Sequence, residues 1–275
     1  MTGLLRANFA RLWKTKALCG CIILPVLFHL LMCFLDSSNT EIYNSITGTE
    51  SVSLFFSAVF SALYIGTDNS DRTVRNKLIT GIPRYKVYLA NLITVSVGMV
   101  IIFAANWLTV VIFDLANGGY LIRSAGALVL YIALCLLVGA AMMAVCTLLA
   151  TLVTSKSVAT VLTIVMTIGM FVGTYILPQL STSPSHYTSS RYDPEVGDYV
   201  LVEDYDDYTF VVPGAVEKGA DMLNELLPTS HMSDLWHEAL SANTETLLEP
   251  VWYSLIFSAA VTAVGVLAFR KKDLK

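Results

Sequence analysis

The sequence predicts an all-α polytopic membrane protein with six transmembrane helices. Three observations carry that expectation. Hydrophobic residues make up 55% of the chain and charged residues 14%, against roughly a quarter charged in a soluble domain. Mean hydropathy is +0.66. The charges also cluster, leaving apolar runs near the ~20 residues that a bilayer-crossing helix needs.

Other classes fall away on the same figures. A net charge of −4 does not suit a nucleic-acid binder, which carries a basic patch or stripe. No Gly-rich loop ending in Lys-Ser/Thr occurs, so the chain offers no phosphate-cradling nucleotide site of its own. Cys19, Cys21, Cys33, Cys135 and Cys146 all sit in apolar runs, which implies no disulfide framework.

Residues 1–16 form the first element. Leu5, Phe9, Leu12 and Trp13 recur with helical spacing, while Arg6, Arg11 and Lys14 lie off that face. The pattern predicts an amphipathic helix in the cytoplasmic interface, with its bases toward anionic headgroups. An early start to the first span would give a similar pattern.

The apolar runs are Ala17–Leu35, Ser51–Gly66, Tyr88–Phe113, Ala125–Val153, Val158–Leu177 and Val251–Phe269. The second is short for a span and the fourth long, which implies tilt or a kink. The first run ends in Leu31-Met32-Cys33-Phe34-Leu35-Asp36. It lacks a small-residue cleavage site, so it reads as a retained span rather than a signal peptide. Bulky Met32 also argues against a lipoprotein cysteine at Cys33.

With the amino terminus inside, the inner segments hold 14 Lys and Arg and the outer segments hold Arg123, Arg191 and Lys218. The positive-inside bias therefore puts both termini in the cytoplasm. Five spans and their loops occupy residues 17–178, with an inner loop at 67–87. Residues 179–250 form an acidic extracytoplasmic segment, and 251–275 the sixth span with a basic tail.

The outer segment carries 14 acids and 2 bases, a formal charge of −12. Within it Asp198–Val212 is rich in Tyr and Val and predicts extended structure, a hairpin in particular. Two amphipathic helices follow, one through Val216, Ala220, Leu223 and Leu227. The other follows Pro228-Thr229-Ser230, through Met232, Leu235, Trp236, Ala239 and Leu240. A segment of this size is marginal as an independent core, so these helices are expected to roof the membrane domain.

The inner loop between the second and third spans is the most informative stretch. Asp68 or Ser70 is a candidate cap for a short helix, with Asp71 in its first turn. Val74 and Leu78 stand four apart as an apolar knob, surrounded by Arg72, Arg75 and Lys77, and Gly81-Ile82-Pro83 ends the helix. Such a knob suits docking into a groove on a partner protein. An ordinary positive-inside loop would have the same composition.

The stretch GTDNSDRTVRNKLITGIPRYKVYLANL (Gly66 to Leu92) resembles the first cytoplasmic loop of type-2 ABC exporter permeases. The likeness is to the bacterial branch tied to bacteriocin immunity and to peptide or drug efflux. The ending FRKKDLK (Phe269 to Lys275), the six-span layout, the leading interfacial helix and the large outer segment between the fifth and sixth spans are similar too. The acidic outer segment departs from the family pattern in length and charge.

That resemblance implies a permease subunit in the plasma membrane of a bacterium. Two such chains, identical or related, would face each other around the translocation path, with two ABC ATPase subunits below. Asp71, Arg72, Val74, Arg75, Lys77 and Leu78 would then form the coupling helix that seats on the ATPase. The chain itself would have no catalytic residue, cofactor or metal, with ATP and Mg held by the partner. Its cargo would be a peptide, drug or other amphipathic molecule.

Polar groups within the spans are costly in lipid and mark candidate path residues: His29, Asn91 and Asn106, with Asp114 at a span end. A helix–helix hydrogen bond is the other use of His29. Gly169 and Gly173 stand four apart, as at close helix contacts. His231 and His237, with Glu238, fall on different helix faces and make no metal site. The competing function is a membrane sensor or channel whose acidic outer segment binds a ligand. The spans lack the paired groups of an intramembrane enzyme, and no cytoplasmic output domain is present in the sequence.

Overall fold

The computed structural model describes residues 1–35, 42–120, 125–181, 187–193, 198–204, 214–232 and 248–272. The element order is α1 (Thr2–Lys14), α2 (Lys16–Leu35), α3 (Ile42–Thr47), α4 (Glu50–Ser70), α5 (Thr73–Ile79), α6 (Arg84–Ala116), α7 (Ala125–Leu152) and α8 (Lys156–Ser181). Then come β1 (Tyr187–Asp193), β2 (Asp198–Asp204), α9 (Gly214–Leu226) and α10 (Leu248–Lys271).

Five of these helices, α4, α6, α7, α8 and α10, are each long and apolar enough to cross a bilayer. The pair α1–α2, bent by 55° at its break, makes a sixth if counted as one span. The chain is an all-α membrane-embedded protein with a small hairpin. Its outer surface carries Leu24, Leu27 and Phe28 of α2, Val161 and Val165 of α8, and Ile256 and Val264 of α10, all exposed. Water would penalise such a surface; lipid tails do not.

The element bounds follow local chemistry. Thr15 breaks α1 from α2 with extended backbone, its hydroxyl donating back to the Arg11 carbonyl at 2.8 Å. The second span runs to Ser70 rather than stopping at Gly66, because Thr67 and Asn69 satisfy themselves within the helix end: Thr67 Oγ1 donates to the Leu63 carbonyl and Asn69 reaches α7. Gly81, at φ 83°, ends α5: its N–H donates to the Leu78 carbonyl, and that of Ile82 to Lys77. This double closure needs a left-handed residue, which glycine supplies at least cost.

The core is built around α4, the most buried of the spans, with α6 and α7 against it and α10 nearest the rim. Leu54, Phe60, Tyr64 and Ile65 of α4 pack with Met99, Ile102 and Phe103 of α6 and with Val138 and Met142 of α7. Gly98 lets the Phe60 ring lie against the α6 backbone; a Cβ there would overlap the ring.

The helices alternate in direction, so α4, α7 and α10 all finish at the end where α6 and α8 begin. That end holds α1, α5 and the cluster Arg84, Lys156, Arg270, Lys271 and Lys272, and is called the basic end below. The opposite end carries the hairpin and α9 and is called the acidic end.

At the acidic end the strand expected within Asp198–Val212 occupies Asp198–Asp204 and pairs antiparallel with Tyr187–Asp193, Ser190 opposite Leu201. Its partner therefore precedes it in sequence, and residues 205–213 lie outside the described set. The first amphipathic helix is α9, but only Ala220 of its expected face is buried; Val216 and Leu223 are exposed. The second begins at 228–232, where Thr229 and Met232 are buried, and the remainder lies outside the described residues. Thr229 Oγ1 lies 2.7 Å from Thr174 Oγ1 and donates to the Met170 carbonyl at 3.1 Å, which seats this segment on α8. Gly173 faces Leu227 at the same contact, while Gly169 faces open space.

Candidate functional site

The site forms at the basic end, where α1, α4, α5 and α6 meet. Its centre is Asp68, in the last turn of α4, whose side chain is fully buried. A carboxylate held out of water must be paired to be tolerated. Asp68 accepts from Arg11 of α1, from Lys77 Nζ of α5 at 3.0 Å and from Thr73 Oγ1 at the start of α5. Lys77 also donates to Asn8 Oδ1 at 3.2 Å, and Asn8 Nδ2 donates to Asn91 Oδ1 of α6 at 3.1 Å. Tyr64 OH donates to the Asn8 carbonyl at 2.9 Å, and the Arg11 guanidinium lies 3.8 Å from the centroid of the Tyr64 ring. Three helices are thereby tied through one anion, and Asn8 links the fourth, α6, to the cluster.

Two cations compete for that carboxylate. An arginine keeps its proton at any working pH, so the lysine yields: burial and the nearby Arg11 charge push the Lys77 ammonium down to about 8. Burial likewise lowers Lys272 below the ordinary lysine value.

A second set of contacts fastens the helix ends. Arg84 Nη1 donates to the carbonyls of Phe269, Arg270 and Lys272, closing the end of α10. Lys272 Nζ donates to the Thr151 carbonyl at 2.7 Å and to Val153, and Asn69 Nδ2 to Ala150 and Val153 at the end of α7. The last carbonyls of a helix lack intrahelical donors and carry partial negative charge, so cations suit them.

The expected coupling segment is corrected in several respects. The short helix spans Thr73–Ile79, not Asp71–Leu78; Asp68 belongs to α4 and does not cap it, and Asp71 lies in the link. Arg72 takes the cap position in a left-handed conformation, φ 56°. Val74 is not an outward knob: it is 3% exposed and packs on Val87, Tyr88 and Phe269, with Leu78 partly buried beside it. The apolar wall offered by α6 and α10 captures that face. Lys77 turns inward to Asp68 rather than lining a rim. The outward face is Arg72, Arg75, Asn76 and Ile79, with Ile79 73% exposed. In α1, Arg11 is turned to Asp68 instead of lipid headgroups, and Asn8 is buried beside Leu12.

The expected path residues are also placed. Asn91 is bonded to Asn8, and Asn106, fully buried, donates to Ser53 Oγ at 2.8 Å. Both tie helices within the chain. His29 is half-buried on α2 with Asp114 as its charged neighbour, and Asp114 is itself buried at the far end of α6. A recess of about 450 Å³ near Phe28, Val52, Phe55 and Phe171 is wholly apolar in character. Among the described residues no three His, Cys, Asp or Glu side chains converge as a metal set.

Asn8, Tyr64 and Ile79 carry this site without standing out in the sequence, and Asp68 and Arg11 stand out only in other roles, as a helix cap and a headgroup contact. The signal for Ile79 is its spacing of four from Arg75, the mirror of Val74 and Leu78 on the same short helix. No family model matches the chain, and no curated protein matches it.

Proposed function

We propose that the chain is the membrane-spanning permease subunit of an ATP-binding cassette exporter in a bacterial plasma membrane, with both termini cytoplasmic. The observation that carries this reading is α5: a short helix at the basic end, its inner face locked to α1, α4, α6 and α10 and its outer face exposed. A helix so mounted passes a push on its exposed side directly to α4 and α6, which is what coupling to an ATP-driven partner requires. The count of 14 inner against 3 outer Lys and Arg supports the orientation, and the resemblance of residues 66–92 and 269–275 supports the family. Because Asn91 and Asn106 are spent on contacts within one chain, the translocation path is assigned to the seam between two permease chains, each with its ATPase. The cargo is a peptide, drug or other amphipathic molecule.

The test is purification of the intact chain from its native membrane with its ATPase bound. Ile79→Asp places a carboxylate on the exposed face and should remove the ATPase while leaving yield and melting temperature unchanged, since exposed substitutions cost little. Val74→Asp is the contrast: it buries an unpaired carboxylate against Tyr88 and Phe269 and should destabilise the chain itself. An ATPase retained in full by Ile79→Asp, or never recovered with the wild type, would remove the coupling role.

A further inference from the structure

On the other side of α5 from the Asp68 cluster, a half-open groove of about 300 Å³ is cut into the basic end. Ser70, Arg72 and Arg75 wall it from the α4–α5 corner, Thr154 and Ser155 from the α7–α8 turn, and Lys272 from beyond α10. Its described lining holds three cations and no carboxylate. The guanidinium groups of Arg72 and Arg75, both exposed, have no hydrogen-bond or ion-pair partner among the described residues. Lys272 uses two of its three N–H donors on the end of α7.

The groove's depth is set by the helix ends around it. Ser70 closes α4, Leu152 closes α7, Lys156 opens α8 and Lys271 closes α10. The apolar surface stops there, so in a bilayer the groove sits at headgroup level, where basic pockets between helices meet anionic lipid. Clustered guanidinium groups favour a phosphate oxyanion over a carbonyl or hydroxyl. The lysine that burial leaves short of solvation gains most from an anion alongside.

We propose that this groove is a binding site for the phosphate headgroup of an anionic phospholipid, with Arg72, Arg75 and Lys272 as its cations and Ser70, Thr154 and Ser155 as neutral donors. The site requires only that the chain is embedded in lipid, and it stands whether or not an ATPase docks on α5.

The test uses the purified full chain in detergent, without any partner, titrated with short-chain phosphatidylglycerol or phosphatidylcholine and read by native mass spectrometry. Phosphatidylglycerol should be retained preferentially, and Arg72→Gln with Arg75→Gln should weaken its retention by roughly tenfold, the scale of losing charged contacts to one anion. Phosphatidylcholine should be unaffected. Arg6→Gln with Arg270→Gln removes the same charge from exposed positions outside the groove and should change retention by less than about twofold. Arg75→Gln alone, on an exposed side chain with no described partner, gives the same direction if the double variant is made poorly. Equal losses from both pairs would reduce the groove to part of a general basic field and overturn the site. Displacement of the lipid by millimolar inorganic phosphate would reassign it to a soluble anion and overturn the lipid.

Discussion

The two ends of the bundle solve the same problem by different means. At the basic end, charged side chains are consumed by structure: Arg84 and Lys272 close helix ends, and Arg11 and Lys77 share the buried Asp68. At the acidic end, neutral hydroxyls make the attachment, Thr229 to Thr174 and to the Met170 carbonyl. One end is locked by a few interactions that fail expensively when broken. The other is held by contacts that each matter modestly. Charge bias in the loops is thus more than an orientation signal here, since several of the same cations hold the helices together.

The contrast can be broken most forcefully at Asp68. Asp68→Ala leaves Arg11 and Lys77 at a buried site without their anion, a defect of about 3–5 kcal/mol. The protein should melt far below wild type in detergent, and unchanged melting would deny the basic end its lock. Next in size, Gly98→Ala pushes a methyl into the Phe60 ring in the shared core and should cost about 1–3 kcal/mol, setting a packing reference independent of either end. At the acidic end, Thr229→Val removes one hydroxyl while Thr174 keeps its own bond to the Met170 carbonyl at 3.0 Å. The expected loss is about 1 kcal/mol, and a loss as large as that at Asp68 would erase the distinction.

The smallest effect is a pH slope. With Lys77 at about 8 in the folded chain and near the ordinary lysine value when unfolded, the unfolded state binds more protons between those limits. The penalty for keeping Lys77 charged is complete below pH 8 and fades as pH rises through that window, so stability should climb there. Lys77→Met should flatten this climb in melting curves recorded from pH 7.5 to 10.

The apolar runs, the leading amphipathic helix and the strand at Asp198–Asp204 were legible because each leaves a periodic or length signal along the chain, whereas the partner strand Tyr187–Asp193 left none. The short helix between the second and third spans was legible too, since Gly81 marks its end. Which way it faces was not. Val74 and Ile79 are both apolar and sit on opposite sides of a seven-residue helix, and only the wall made by Tyr88 and Phe269, distant in sequence, decides which one is buried. Asp68 was hidden for a related reason. Its partners Arg11 and Lys77 lie far from it along the chain or on another helix, so it reads as a cap of the short helix and not as the buried anion of a cluster. Pairing of that kind has no period.

The contact of Arg84 with the carbonyls of Phe269, Arg270 and Lys272 also bears on how the protein is made. Arg84 reaches the membrane long before the residues that satisfy it, since its partners lie 185 to 188 positions later. The Asp68 cluster, confined to residues 8–91, can form once α6 is in place. The corner around Arg84 cannot close until α10 has been threaded. A chain stopped short of Phe269 therefore carries an unanswered guanidinium at the entrance to α6, a built-in difference between a chain with α10 in place and one without it.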